Sequence, residues 1–394
     1  MRILHFAETF SQPTETFIKR YVQKSCQFAE VAVVALYFRN IDREIKKRAS
    51  FFEITNKIYT RKTIKGALRF IYERLSGNRL WYNELNNAIE AFKPDIIHCH
   101  FGNAGLMMME FDRKFKKNIP YVTSFYGYDI SSLPFLDKKY RKKLLKLWRH
   151  GSAFFAEGPE LLKKIVALGG AETKCLVNPL LIPVEDYPVK NEYRAMGSPI
   201  KFLFIGRFVE KKGFHLFLEA IGQLGNKIGP FTIDIIGSGP YLENYQQVIA
   251  AHDLQSAIKW LGMVKHNEII AMLKDYDFLV HPSLTARDND SEGGAPTIII
   301  EAEAVGLPVI ASRHADIPYV MGYHDFLAEE NNIPSLVAEI EKIINCRNIQ
   351  HYTQQGMDKV QYQHNLNSSG IYEGNLKKLI AKKLSKNEMN SSLP

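Results

Sequence analysis

The chain has 394 residues, 46% of them hydrophobic and 24% charged, with a formal net charge of +9; it is too long for one typical domain and comfortable for two. The charge is uneven, with 33 Lys and Arg against 20 Asp and Glu in residues 1–198 and 18 against 22 in the remainder. No apolar run has the length to span a bilayer and no nucleic-acid motif accompanies the basic half, which sets those two classes aside.

Short β-rich runs alternate with helical stretches, the pattern of a parallel α/β architecture. The first predicted strand, 2–6, is broken by charge and reads as a strand, not as a secretory leader. A helix is predicted to start at Thr14 in the loop that follows. There the hydroxyls of Ser11, Thr14 and Thr16, with Glu15 among them, could reach a diphosphate or an acceptor; Thr14 as a simple N-cap is the plain alternative. Strands follow at 30–37 and 95–99. His98 and His100 point the same way along the second of these, and no third ligand follows at a spacing that suits a metal. Strand 121–124 runs into Phe125-Tyr126-Gly127-Tyr128-Asp129, where Tyr126 could hydrogen-bond a ligand. Residues 138–149 then carry seven Lys and Arg with Leu144, Leu145, Leu147 and Trp148 at helical spacing. That segment is either an interfacial helix on anionic lipid or a solvated basic helix whose apolar residues pack on its own domain. Strand 152–156 closes this half, and the polar stretch 189–199 reads as a linker.

Strands are predicted at 201–205, 232–236, 258–260, 278–280 and 308–311 in the second half. After the first of them, Gly206-Arg207 and Lys212 lie on one loop, where Arg207 and Lys212 can neutralise a diphosphate; a salt bridge of either with Glu210 is the alternative. Asp288-Asn289-Asp290 matches a metal-binding Asp-x-Asp pattern but reads as a solvated turn, so no metal is expected. Glu292 then precedes Gly293-Gly294-Ala295, whose amides a bound group can approach, and Pro296-Thr297 opens a helix carrying Glu301. The four cysteines, Cys26, Cys99, Cys175 and Cys346, form no Cys-x-x-Cys pair and read as reduced thiols of a cytoplasmic protein.

Glu292, the glycine loop, Glu301 and the following Ala302, Ala304, Gly306 and Pro308-Val309-Ile310-Ala311 together resemble the donor-site signature of the family 4 glycosyltransferases. Eight residues separate the two glutamates where that family usually has seven, and the extra one is assigned to Gly293-Gly294-Ala295. The segment from Phe202 to Gly213 resembles the family's strand-Gly-Arg…Lys-Gly element, and Gly237-Ser238-Gly239 its second glycine turn. Met263-Val264 is similar to the loop on which the nucleobase rests. Thr123 to Asp129 resembles Phe-His-Gly-x-Asp with Tyr126 in the histidine position. Pro13-Thr14-Glu15-Thr16-Phe17-Ile18 looks closest to a subset acting in colanic acid, exopolysaccharide or capsule assembly.

The resemblance implies an α/β protein of the GT-B fold, two Rossmann-like domains facing each other across a cleft. Residues 1–190 would form the acceptor domain, completed by a helix at about 368–384, and 200–366 the donor domain. The implied donor is a UDP- or GDP-sugar. Arg207, Lys212, Gly206 and Gly237 would meet its diphosphate, Glu301 its ribose, Met263 and Val264 its base, and Glu292 its sugar, alongside Gly293, Gly294, Ala295, Pro296 and Thr297. Tyr126 and His100 would join Glu292 near the reacting centre, with His100 at the cleft. The implied acceptor is a glycan or a lipid-linked oligosaccharide on the anionic inner membrane surface, approached peripherally, with retention of configuration and no required cofactor. An NAD-dependent oxidoreductase is opposed by the lack of GxGxxG after the first strand. An epimerase of the same fold and a non-catalytic nucleotide-sugar or membrane-binding module stay open.

Overall fold

Val31 to Leu36 is apolar without alternation, and a strand of that kind needs cover on both faces. It forms the middle of β2 (Glu30–Phe38) within an all-parallel sheet. A computed structural model describes residues 1–11, 16–39, 41–54, 81–195, 197–294 and 296–391. The first sheet holds β1 (Arg2–Phe10), β2, β3 (Ala49–Glu53), β4 (Ile96–His100), β5 (Tyr121–Phe125), β6 (Ala153–Ala156) and β7 (Cys175–Val177), in the order β3-β2-β1-β4-β5-β6-β7. The second holds β8 (Ile200–Ile205), β9 (Phe231–Ile236), β10 (Ile258–Gly262), β11 (Phe278–His281), β12 (Val309–Ser312) and β13 (Leu327–Ala328), in the order β10-β9-β8-β11-β12-β13.

Strands β3, β7 and β13 have no counterpart among the sequence-predicted strands. Each is short and lies at a sheet edge, where pairing comes from one neighbour and the strand's own pattern is weak. In each sheet the strand order reverses once, between β1 and β4 and between β8 and β11. Ligands of open α/β sheets bind in the crevice outside the carboxyl ends of such strands. The loops there carry Ser11, His100, the Gly206–Gly213 segment and the long connection from His281 to Pro296.

The last helix, Ile371–Ser391, buries Tyr372 and Leu376 with Ile3, Ile96 and Val122 of the first sheet, and Asn375 donates to the Val177 carbonyl at 3.0 Å. The basic segment forms the helix Lys138–His150, started by the Asp137 carboxylate, which accepts from the amides of Lys139 and Tyr140. Its Leu144, Leu147 and Trp148 are buried in the core of the first domain, and Trp148 donates to the Leu168 carbonyl at 2.9 Å. Burying such side chains is worth roughly 2 kcal/mol each. The interfacial-helix reading is therefore corrected: of its apolar residues only Leu145, 48% exposed, remains for a membrane. Among the described residues no helix is long and apolar enough to cross a membrane, and all four cysteines are free.

Candidate active site

The second sheet supplies most of the charge at the cleft. Gly206 and Arg207 follow β8, and a 3-10 turn, Glu210–Lys212, ends on Gly213 with φ of 63°. This loop packs on the Gly237-Ser238-Gly239 turn: the Phe208 amide donates to the Ser238 carbonyl at 2.8 Å. A Cβ on Gly237, whose φ is 136°, would overlap the Gly206 carbonyl, so only glycine admits this approach. Arg207 is exposed, and its guanidinium makes no hydrogen bond or ion pair with the described residues. Glu210 is paired with Arg287, 3.2 Å away, and leaves both Arg207 and Lys212 to other partners.

Lys212 reaches Glu292, with Nζ 2.6 Å from its Oε1. The same oxygen accepts from the Ser283 hydroxyl at 3.0 Å, and the Glu292 amide donates to His314 at 3.1 Å. Burial alone would raise the Glu292 carboxyl; the Lys212 ammonium, with Lys211 behind it, holds it well below the usual carboxylate range. His281, wholly buried at the end of β11, lies 3.7 Å from Glu292, and burial together with the Lys212 charge lowers it to about 4. The site thus presents an ionised carboxylate beside neutral imidazole.

Glycine loop and first domain meet directly. Gly127, with φ of 111°, faces Gly293 so closely that a Cβ on either residue would overlap the other. Gly294 lies against the Glu157 carboxyl, which burial and the neighbouring Asp316, Asp129 and Glu292 raise well above its usual range. Asp316 crosses the gap to cap the helix Pro159–Ala167, accepting from the amides of Glu160 and Leu161 at 2.7 and 3.1 Å. Asp290 accepts from Lys211 at 3.1 Å and from Ser132 of the first domain at 3.0 Å, and Lys164 donates to Ser291 at 2.9 Å. The solvated-turn reading of Asp288-Asn289-Asp290 holds for Asp288 and Asn289, which are exposed in a turn, whereas Asp290 is half-buried and its carboxylate ties the two domains together.

Helix Thr297–Val305 begins one residue after Pro296, with Thr297 half-buried. Glu301 is 3% exposed, and its Oε1 lies 3.3 Å from Arg20, 3.0 Å from the Tyr187 hydroxyl and 2.9 Å from His266. Burial would raise its carboxyl, but the His266 contact and the Arg20 guanidinium bring it below the usual value. Met263 is 78% exposed and Val264 half-buried on the loop after β10, with Met263 against Ser238.

On the first domain, Ser11 has φ of 68° and Thr16 is the first residue of the helix Thr16–Ser25, while Thr14 and Glu15 lie outside the described residues, as does Ala295. His100 is not at the cleft surface but 1% exposed, and its Nδ1 lies 2.7 Å from the hydroxyl of the half-buried Tyr126, which precedes the Gly127 that meets Gly293. A third histidine, His5 from the adjacent β1, joins His98 and His100, with one donor atom of each within 4.8 Å of the others. The spacing argument against a metal missed it because β1 and β4 are neighbours in space and far apart in sequence. Every nitrogen of the three rings already faces a hydrogen-bond partner.

Sequence reasoning also missed Arg20, Glu157, His266 and Asp316, whereas it placed His281 at a strand end lining the cleft without a role, and the structure sets it 3.7 Å from Glu292. Glu157 had a usable signal, a carboxylate and Gly-Pro immediately after a strand; Arg20 had none, sitting on an ordinary amphipathic helix.

Residues 28–184 match the family described as Glycosyltransferase Family 4, and residues 189–359 the one described as Glycosyl transferases group 1. The amylovoran biosynthesis glycosyltransferase AmsK of Erwinia amylovora is 32% identical over 63% of this chain and 60% of its own length. WcaL of Salmonella typhimurium, named for colanic acid biosynthesis, is 29% identical over 64% and 62%. The chain thus spans about three fifths of the length of these curated relatives. Among solved structures, Anabaena HepE in complex with UDP and glucose superposes with a TM-score of 0.69 at 15% identity, over 97% of this chain and 99% of that one. The lipopolysaccharide outer core galactosyltransferase WaaB does so with a TM-score of 0.69 at 16%, over 97% and 100%.

Proposed function

The chain belongs to the family 4 glycosyltransferases and has the GT-B fold, and on that premise we propose that it transfers a sugar from a nucleoside-diphosphate donor to a glycan acceptor with retention of configuration. The observation that carries this reading is the contact of Lys212 with Glu292 beside the exposed Arg207, at the strand ends where β8 and β11 part. A donor lying there meets cations at its phosphate end and a carboxylate at its sugar end. Arg207 and Lys212 balance the charge that develops as the nucleoside diphosphate leaves, so a metal is not required. Glu292 orients the sugar hydroxyls, the Gly293-Gly294-Ala295 loop covers the sugar, Glu301 with His266 holds the ribose, and Met263 and Val264 support the base, UDP and GDP both being accommodated by this scheme. The acceptor hydroxyl attacks from the side the phosphate leaves, and its proton passes to the departing phosphate oxygen.

The acceptor enters between the domains, where a cavity of about 690 Å³ is lined by Tyr128, Phe135, Leu136, Arg141, Lys164 and Ser291. Its apolar wall suits the lipid part of a lipid-linked oligosaccharide, Arg141 and Lys164 standing there beside Asp288 and Asp290, and the names of AmsK and WcaL favour polysaccharide biosynthesis as the setting. The test is transfer from a panel of UDP- and GDP-sugars to lipid-linked glycans, with the anomeric configuration of the product read by NMR. A product with retained configuration, whose formation is lost with Glu292→Gln, is the expected result. Inversion refutes the retaining part, and an epimerised sugar formed without acceptor refutes transfer.

A further inference from the structure

Beneath the first-domain wall of the cleft runs a buried polar chain that the donor site does not use. The Tyr126 hydroxyl lies 2.7 Å from His100 Nδ1, and His100 Nε2 lies 2.9 Å from His5 Nδ1. His5 Nε2 is 2.9 Å from the Ser25 hydroxyl, which is 3.3 Å from that of Tyr372. The Tyr372 hydroxyl is 2.9 Å from His98 Nδ1, and His98 Nε2 ends the chain 2.7 Å from Ser124. Three strands, the helix Thr16–Ser25 and the returning helix Ile371–Ser391 contribute these groups. Six of the seven are at most 2% exposed; Tyr126, half-buried, is the one at the cleft, next to the Gly127 that touches Gly293.

A neutral imidazole has one donor and one acceptor nitrogen. Between His5 and His100 one nitrogen carries the proton and its partner is bare, so these two rings share a tautomer. A buried hydroxyl between two partners gives its single proton to one and accepts from the other, which extends the rule through Ser25 and Tyr372 to His98. Two arrangements leave every internal link matched. Either all three rings carry the proton on Nε2 and Tyr126 donates to His100, or all three carry it on Nδ1 and His100 donates to Tyr126, freeing the phenol proton for the neighbouring Ser124 hydroxyl or for a group in the cleft. Both need neutral rings, and burial supplies that condition, lowering His5 to about 3 and His98 and His100 well below the usual range. A metal would displace hydrogen bonds that already satisfy each ring.

We propose that His100, His5, Ser25, Tyr372 and His98 are positioning residues that act as one relay, share a single tautomer, and set whether the Tyr126 hydroxyl donates to or accepts from a sugar or phosphate oxygen in the cleft. The proposal rests on the reading of that cleft as the donor site. It makes Tyr372, on the last helix of the chain, a determinant of hydrogen bonding at the reacting centre.

Nitrogen-15 imidazole NMR of the full chain between pH 6 and 8 tests it. The same nitrogen should be protonated in all three rings, with no imidazolium. Tyr372→Phe keeps the packed ring and breaks the relay; it should uncouple His98 from His5 and His100 and lower transfer kcat about tenfold, the worth of one hydrogen bond, with donor KM unchanged. Ser25→Thr should retain the wild-type pattern that Ser25→Ala loses. Mixed tautomers, a charged ring, or stoichiometric Zn²⁺ binding that shifts all three rings would overturn the relay. Uniform tautomers whose signals ignore added UDP- and GDP-sugars would uphold the relay and refute the donor-site reading instead.

Discussion

Glu301 and Glu303 lie two residues apart on one helix and are driven in opposite directions by what faces them. Glu301 meets Arg20 and His266 and is held below its usual value, whereas Glu303 has one oxygen on the Gly322 amide at 2.9 Å and the other without a partner. Burial raises Glu303 from 4.5 to about 8, with the Lys359 charge only partly opposing it. The folded protein therefore keeps a proton on Glu303 that the unfolded chain has already lost. Its stabilising share is complete below about pH 4.5 and declines as pH rises toward about 8. Unfolding free energies of the wild type and Glu303→Gln from urea titrations, measured from pH 6 to pH 8, should diverge by about 2 kcal/mol, the wild type losing more. Parallel pH profiles would mean that Glu303 is ionised in the folded protein. Nothing in the sequence distinguished this glutamate from its neighbour, because the difference lies in Gly322 and Lys359, which arrive from distant segments.

At the scale of elements, the strands buried on both faces could be read from composition, and their order along the chain implied two parallel sheets. What the sequence could not show was which apolar residues of an amphipathic helix have a partner. In Lys138–His150 the stripe of Leu144, Leu147 and Trp148 belongs to the core, and an anchor made of those residues is excluded. The large apolar groups left exposed nearby are Tyr128, Phe135 and Leu136, just before the helix, with the Arg141 guanidinium 5.7 Å from the Phe135 ring. A test of contact with an anionic membrane therefore targets the helix's charges together with these side chains. Charge reversal at Lys139 and Lys142 together with Phe135→Ser should weaken sedimentation with anionic vesicles at least tenfold, each phosphate contact contributing about 1 kcal/mol. Unchanged binding by a folded variant would remove the membrane from the account.

Across the whole molecule, the motifs lay far apart in sequence and converge because both sheets reverse strand order at their centres, aiming the loops after β1, β4, β8 and β11 at one cleft. The sequence set Arg207, Lys212, Glu292 and Glu301 after strands of the second sheet, and the structure has them there. The closures between domains were not legible in it, since Gly127 on Gly293, Arg20 on Glu301 and Asp316 on the helix Pro159–Ala167 are tertiary contacts without local pattern. Glu292 and Glu301, which the proposed donor scheme uses, already pair with Lys212, Arg20 and His266, so under that scheme binding exchanges protein partners for ligand atoms. Isothermal titration with UDP- and GDP-sugars, wild type against Arg207→Ala, tests the central claim most directly. The account predicts saturable binding of at least one nucleotide sugar, weakened about tenfold or more by the substitution, as for loss of a charge-assisted hydrogen bond; absence of binding by any of them, or equal binding by the two proteins, would contradict it.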